Sequence, residues 1–190
     1  MRFIQNKMFQ RTMLCVAIVV IVAAIFYPTM MSHEAAIRLV TESRTRGIHR
    51  LLEDYAREHG HYPEGRSRVD GADVTWRVAV SSFAPRTAFL ARGLGDNRDG
   101  KMAPVDFILS GSSQQTPFYL IRANDGQPDS HAHYVTDKNG HPVIAAIPSH
   151  LSEWTSAPDI SVIELIERSQ RGERVYLSFA DDRFFQINAK

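Results

Sequence analysis

An uninterrupted apolar segment near the start of the chain constrains the fold more than any other feature. Residues 13–31 read MLCVAIVVIVAAIFYPTMM and contain no charged side chain. This run of 19 residues has the length that a bilayer-spanning helix requires, and no ionisable residue opposes its insertion. The segment therefore predicts a transmembrane anchor.

Two other interpretations of this segment are a buried core helix and a cleaved signal peptide. A core helix of a soluble protein normally has one polar face, and residues 13–31 show none. A signal peptide ends in small residues at its cleavage site, whereas residues 26–31 (FYPTMM) are bulky. An uncleaved anchor is the interpretation that both observations favour.

The charges on each side of the segment predict its orientation. Arg2, Lys7 and Arg11 precede it without any acidic residue, which favours a cytoplasmic position for the short tail. Further arginines follow the segment and reduce this bias, but glutamates are mixed among them. We therefore predict a cytoplasmic tail over 1–11, a single anchor in the cell inner membrane over 12–31, and a periplasmic, extracytoplasmic domain over 32–190.

Composition excludes several functions for the domain. The formal net charge is +1, and basic and acidic residues are interspersed, so nucleic-acid binding has no electrostatic support. The single cysteine, Cys15, lies inside the predicted anchor, which excludes intramolecular disulfides and cysteine-based metal sites. The lipid bilayer is thus the partner that the sequence predicts most directly.

Helical periodicity continues beyond the anchor, with apolar residues at steps of three and four. These residues are Ile37, Val40, Ile48, Leu51, Leu52 and Tyr55. They predict one long helix over 12–59, whose second half is amphipathic and ends at His59-Gly60. The rest of the chain predicts strands at 76–80, 105–109, 118–122, 143–147, 175–179 and 184–187, loops at 127–139 and 149–157, and a helix at 158–170. The predicted fold class is α+β, with the long helix packed on an antiparallel β-sheet.

Several segments resemble a known group of proteins. The helix end at 51–64 (LLEDYAREHGHYPE) is similar to the start of type IV pilins and type II secretion pseudopilins. Residues 76–80 (WRVAV), Trp154-Thr155 followed by Pro158-Asp159-Ile160, and 175–187 (VYLSFADDRFFQI) resemble motifs of the prepilin-like proteins of unknown function in planctomycetes. The resemblance implies a pilin-like fold, a structural or assembly role, and other pilin-like subunits or secretion and pilus assembly proteins as partners.

Two departures from the pilin pattern limit what the resemblance implies. Pilin precursors carry Gly-Phe-Thr-Leu-x-Glu at the membrane entrance, whereas this chain has QRTMLCV at 10–16, without the glycine and the glutamate. Cleavage by a prepilin peptidase and polymerisation are therefore not predicted. In the closing hairpin Asp182 replaces the glycine of the family, and aspartate can adopt a positive φ at modest cost.

Histidine and carboxylate residues suggest three candidate sites, and none has a complete pattern. His131 and His133 with Asp129 and Asp137 are potential zinc ligands, but Val135 stands where a His-x-His-x-Asp site needs aspartate. A calcium loop at 96–100 would place Gly95 at its first ligand position. The interpretations favoured are a polar loop and a turn.

Ser149, His150 and Glu153 have the residue types of a catalytic triad but are sequence neighbours, without a nucleophile-elbow signature. Trp76 and Trp154 are candidates for a binding groove, but core positions are more usual for them. We predict no catalytic, cofactor-binding or metal residue, and a membrane-anchored, non-catalytic structural or assembly protein of the cell envelope. The alternative is an anchored ligand- or metal-binding or sensing module that uses loop 127–139, and a hydrolase has the least support.

Overall fold

The computed structural model describes residues 2–64, 66–69, 72–84, 107–109, 115–123, 134–153 and 159–187. Its contacts divide the chain into two units, Met1–Leu39 and Val40–Lys190. Helix α1, Arg2–His59, supplies the described residues of the first unit and begins the second. It starts ten residues before the predicted position 12, because residues 2–12 contain no glycine or proline that would interrupt a helix.

Apolar side chains of the first unit are exposed in an unbroken series. Residues 18–22 of α1 are all Ile or Val, and each is between 46% and 66% exposed. Successive residues of a helix point about 100° apart, so five in a row cover its whole circumference. No helix among the described residues combines the length and the apolar character needed to cross a membrane. Most side chains of the predicted anchor lie outside the described residues.

The second unit is an α+β domain. In chain order after α1, its elements are β1 (Arg66–Val69), β2 (Ala72–Thr75), α2 (Trp76–Ser81), β3 (Gln115–Thr116), β4 (Phe118–Arg122), β5 (Ile144–Ala146), β6 (Ser152–Glu153), β7 (Ile160–Ser161), α3 (Val162–Gln170), β8 (Val175–Ser178) and β9 (Phe184–Ile187). β1 pairs with β2 and β3 with β6, both antiparallel. The other five strands form one sheet in the order β7-β4-β5-β8-β9.

This central sheet is mixed, which corrects the predicted antiparallel sheet. β4, β5, β8 and β9 pair antiparallel, but β7 lies parallel to β4, with Ile160 opposite Ile121. A parallel neighbour needs a long crossover connection, and residues 123–159 between the two strands supply one. One edge of the sheet therefore differs from the prediction, whereas the α+β class is confirmed.

Both faces of the central sheet are buried. The face that we call the α1 face carries Phe118, Leu120, Ile144, Ala146 and Tyr176, which pack with α1 and α2. The opposite face, the α3 face, carries Tyr119, Ile121, Ala145 and Val175, which pack with Leu165 of α3. Successive side chains of a strand point to opposite faces, so strands buried on both sides read as continuous apolar runs.

Several predicted boundaries are confirmed. α1 ends at His59, and Gly60 has φ +79° and donates its N–H to the Ala56 carbonyl at 2.8 Å. β4 coincides with the predicted strand 118–122, β9 with 184–187, and β5 and β8 lie inside their predicted strands. Asp182 has φ +63°, as its place in the closing hairpin predicted.

The predicted strand at 76–80 is wrong, since these residues belong to helix α2. Trp76, Ala79 and Val80 are buried there, and their spacing of three and four residues is that of a helix face. The side chains of residues 76–80 also alternate in character, so the pattern fits both the two-residue period of a strand and the 3.6-residue period of a helix. At 107–109, the described part of another predicted strand, the backbone forms no strand, although Phe107 and Ile108 are buried.

Two corrections concern the segment from 149 to 170. The predicted loop contains β6, which pairs with β3. The predicted helix 158–170 begins only at Val162, because residues 160–161 pair with β4 as strand β7. Ser161 is the N-cap, and its hydroxyl accepts the N–H of Glu164 at 3.1 Å. The helix ends before Gly172, as predicted, and this glycine has φ +82°.

Candidate functional site

Buried polar side chains collect between α2, β4 and the start of β7. Arg77 of α2 is fully buried and donates to the Phe118 carbonyl and, at 3.4 Å, to the Ser152 hydroxyl. Its guanidinium lies over the rings of Trp76 and Tyr119, at 5.6 and 5.1 Å from their centroids. Burial lowers the pKa of Arg77 to about 10, so the side chain still carries its charge at neutral pH.

A buried carboxylate lies in the same cluster. Asp159, directly before β7, accepts a hydrogen bond from the Tyr134 hydroxyl at 2.9 Å. Burial raises the pKa of Asp159, while the Tyr134 hydrogen bond and the charges of Arg77 and Arg122 oppose that shift. Burial and the nearby Asp159 charge raise the pKa of Tyr134, so its phenol remains a hydrogen-bond donor. The Tyr134 hydrogen bond and the nearby arginine charges compensate the buried Asp159 carboxylate, which is a structural arrangement.

Sequence reasoning did not bring these residues together. Arg77 and Asp159 lie in two of the segments that carry the prepilin-like resemblance, yet they are far apart along the chain. The one local signal was a charged residue, Arg77, between apolar neighbours in a short buried segment. Long charged side chains are rarely fully buried unless they are paired, so such a residue indicates a partner elsewhere.

Ser149 and His150, which have the residue types of a triad, contact other partners. The Ser149 hydroxyl donates to the Glu173 carboxylate at 3.4 Å, and the His150 Nε2 accepts from the Arg168 guanidinium at 3.0 Å. Burial and the Arg168 charge lower the pKa of His150. Arg168 also donates to Glu164 at 2.7 Å and Glu173 at 3.1 Å. The network connects α3 to neighbouring turns, and the side chain of Glu153 lies outside the described residues.

The other candidate residues divide into those with structural contacts and those outside the described part. Asp137 accepts the backbone N–H groups of Asn139 and His141 at 2.8 and 3.0 Å, which closes a turn. Trp76 is a core residue, as predicted. His131, His133, Asp129, Trp154 and residues 96–100 lie outside the described residues. Within the described part of the chain, no group of three or more His, Cys, Asp or Glu side chains could hold a metal ion.

A buried histidine lies in the second half of α1. His49 is 5% exposed, and burial lowers its pKa to about 4, although a backbone hydrogen bond with Ser178 opposes the shift. His141 lowers the pKa further, whereas Asp137 and Asp182 raise it. The Tyr62 hydroxyl contacts Nδ1 of His141, and burial raises the pKa of Tyr62. His49 is therefore neutral at physiological pH and is unsuited to hold a charge.

No family model, curated protein or solved structure matches the chain. The described polar clusters have contacts that stabilise the domain, and the exposed apolar side chains of α1 are the feature that calls for a functional explanation.

Proposed function

We propose that the protein is a single-pass membrane protein of the cell envelope whose extracytoplasmic α+β domain has a structural or assembly role, as in pilin-like proteins, and no catalytic activity. The observation that carries the proposal is the exposure of all five apolar side chains at 18–22 of α1. These residues lie in a stretch of 19 residues without a charge.

The exposed apolar side chains of residues 18–22 are more stable in contact with lipid than with water. Each buried Val or Ile side chain is worth roughly 1.5–3 kcal/mol relative to exposure in water. Five such side chains around a helix have no protein face to cover them in the first unit, and soluble proteins rarely expose a contiguous apolar surface of this kind. A bilayer accepts it, and the helix satisfies its own backbone hydrogen bonds there.

The structural role is supported by how the domain uses its remaining residues. Ile48, Leu51, Leu52 and Tyr55 of α1 are buried in the domain core, so the amphipathic half of the helix is part of the fold. Ser149 and His150, the residues with catalytic potential, contact Glu173 and Arg168 instead of each other's reactive atoms. The prepilin-like resemblance of Trp76-Arg77 and Asp159-Ile160 supplies the more specific class.

Membrane fractionation with a matched pair of variants tests the anchor. Val22→Arg puts a charge at the middle of the apolar run, where arginine costs about 2.5–3.5 kcal/mol on insertion. Ile163→Arg places the same charge on an apolar side chain of α3 that is 54% exposed. We expect wild type and Ile163→Arg to resist carbonate extraction and Val22→Arg to be released. Equal extraction of all three would contradict the proposal.

The mass of the mature chain separates two forms of the proposed role. An intact N-terminus at Met1 identifies a resident anchor, whereas cleavage next to Arg11 identifies a subunit processed like a pilin. Digestion of the domain by protease added outside intact spheroplasts supports the extracytoplasmic orientation, and protection of the domain in that assay opposes it.

A further inference from the structure

We propose that His59 and His61 form an exposed binding site for a divalent transition-metal ion, with Cu²⁺ as the preferred ion. The two residues flank Gly60 at the end of α1, and both are exposed. Gly60 has φ +79°, a conformation that reverses the chain direction after the helix. Their ring centroids are 6.5 Å apart. This inference does not depend on the proposed membrane function.

Hydrogen bonds fix the tautomer of both rings. Nδ1 of His59 lies 3.1 Å from the Tyr55 carbonyl oxygen, and Nδ1 of His61 lies 2.9 Å from the Tyr62 carbonyl oxygen. A carbonyl oxygen only accepts, so Nδ1 must donate in each case and Nε2 retains its lone pair. Histidines that bind metals typically donate their other ring N–H to a carbonyl or carboxylate in this way.

Neighbouring aromatic rings contact both histidines and hold His59 in place. The His59 ring stacks on Tyr55, with centroids 4.1 Å apart and planes at 8°. Phe83 meets His59 edge to face at 6.0 Å, and His61 meets Tyr55 edge to face at 6.2 Å. Tyr55 is buried in the core. His59 is therefore positioned by the folded domain and loses less side-chain freedom when a ligand binds, whereas His61 is the ligand that moves.

The separation of the rings suits a shared ion after a small movement. A metal–nitrogen bond of roughly 2.0–2.1 Å puts each ring centroid about 3.2 Å from the ion, so two rings on one ion lie at most about 6.4 Å apart. The observed 6.5 Å slightly exceeds that limit. Both Nε2 atoms can reach one ion only if the exposed His61 side chain rotates, which gives up its hydrogen bond with the Tyr62 carbonyl, and water completes the coordination.

The donor set determines the class of ion. Imidazole nitrogens bind Cu²⁺, Ni²⁺ and Zn²⁺, and the stability order of these ions places Cu²⁺ first. Two protein ligands leave several coordination positions to water. The ion is accordingly exchangeable and contributes little to folding, unlike the ion of a four-ligand structural zinc site.

Titration of the full chain in detergent micelles with Cu²⁺ at neutral pH tests the site. Calorimetry gives the affinity, and electron paramagnetic resonance counts the imidazole nitrogens on the copper. We expect one ion per chain with two imidazole ligands, and weaker binding of Zn²⁺. His59→Phe and His61→Phe keep a ring in place but remove the ligand atom, and each should weaken binding by about tenfold or more, equivalent to about 1.4 kcal/mol.

Three controls make the outcome decisive. His33→Phe removes an exposed histidine of α1 outside the site and should leave the affinity unchanged. Thermal unfolding of each variant without metal checks that its fold is preserved. Unchanged copper binding in the double variant His59→Phe/His61→Phe overturns the proposal. Loss of the two-nitrogen signal in His131→Phe/His133→Phe, with the signal retained in His59→Phe/His61→Phe, also overturns it.

Discussion

The two faces of the central sheet are covered by helices that bury very different amounts of apolar surface. On the α1 face, α1 inserts Ile48, Leu51, Leu52 and Tyr55 into the core. On the α3 face, α3 buries Leu165, while Val162, Ile163 and Ile166 remain 39–54% exposed. The sheet itself is apolar on both sides, so the difference lies in the helices.

What differs is how each helix is held. α1 is held mainly by apolar burial, which grows with the number of side chains in its stripe. α3 is held at its ends, by the Ser161 cap and by the contacts of Arg168 with Glu164, Glu173 and His150. A similar helical period in the sequence can therefore correspond to a deeply buried helix or to a peripheral one.

Removal of the Asp159 carboxylate should have the largest effect on stability, because its charge compensates that of buried Arg77. Arg77 in turn contacts one ring from each face of the sheet, Trp76 and Tyr119. Asp159→Ala leaves the buried guanidinium without the charge that compensates it, and we expect a loss of about 3–5 kcal/mol in the free energy of unfolding. Urea unfolding followed by the fluorescence of buried Trp76 measures it. Asp159→Asn also removes the charge but keeps an acceptor for the Tyr134 hydroxyl, so it should lose nearly as much; near wild-type stability of Asp159→Asn would contradict the role of the charge.

A pair of leucine truncations tests the comparison of the faces directly. Leu52→Ala on the α1 face should cost about 3–5 kcal/mol and Leu165→Ala on the α3 face about 2 kcal/mol. The cavity at Leu52 is surrounded by packed core, whereas Leu165 has the partly exposed Val162 and Ile166 beside it on α3, and these can relax into the space. Urea unfolding of both variants gives the two values. A larger loss for Leu165→Ala would reverse the order of the two faces.

His49 makes the α1 face sensitive to acid. Its pKa is about 4 in the folded chain against an ordinary 6.5, so the unfolded chain takes up the proton first as pH falls. Stability is complete above about pH 6.5 and decreases towards pH 4, by about 3 kcal/mol in total. Unfolding free energies of wild type and His49→Gln, measured across this range, should show the smaller slope in the variant. Parallel pH profiles would refute the assignment to His49.

The smallest effect is expected at the start of α3. Ser161→Ala removes the hydroxyl that accepts the Glu164 N–H and should cost about 1 kcal/mol. Ser161→Asp restores an acceptor and serves as the control. Urea midpoints of the three proteins show whether the cap holds α3, and an unchanged midpoint in Ser161→Ala would mean that the Arg168 contacts suffice.

The parts of the fold that the sequence predicted are those with a local cause. Gly60 and Gly172 mark helix ends because their positive φ values favour glycine. β4 and the β8–β9 hairpin stand out because β-branched and aromatic residues are bounded by turn residues. The beginning of α3 was misplaced because pairing of residues 160–161 with β4 is a tertiary contact that local propensity does not contain.

The candidate site illustrates a similar division. The tautomers of His59 and His61 depend on carbonyl oxygens within four residues, yet the histidines singled out from the sequence were His131, His133 and His150. The Arg77–Asp159 cluster requires the folded arrangement of α2 and β7. Residues 76–80 were assigned to a strand because alternation and helical spacing coincide over five residues, and only the packing of Trp76 decides between them.

Because β4 and β5 are buried on both faces, slippage of either strand by one residue would not carry its side chains into water. In a sheet with one wet face, such an error is penalised by solvent; here it exchanges one dry environment for another. The register of strand pairing must instead be set by specific contacts that a shift of one residue would break. Two such contacts are the hydrogen bond from Arg77 to the Phe118 carbonyl at the start of β4 and the turn between β8 and β9, where Asp182 adopts a positive φ.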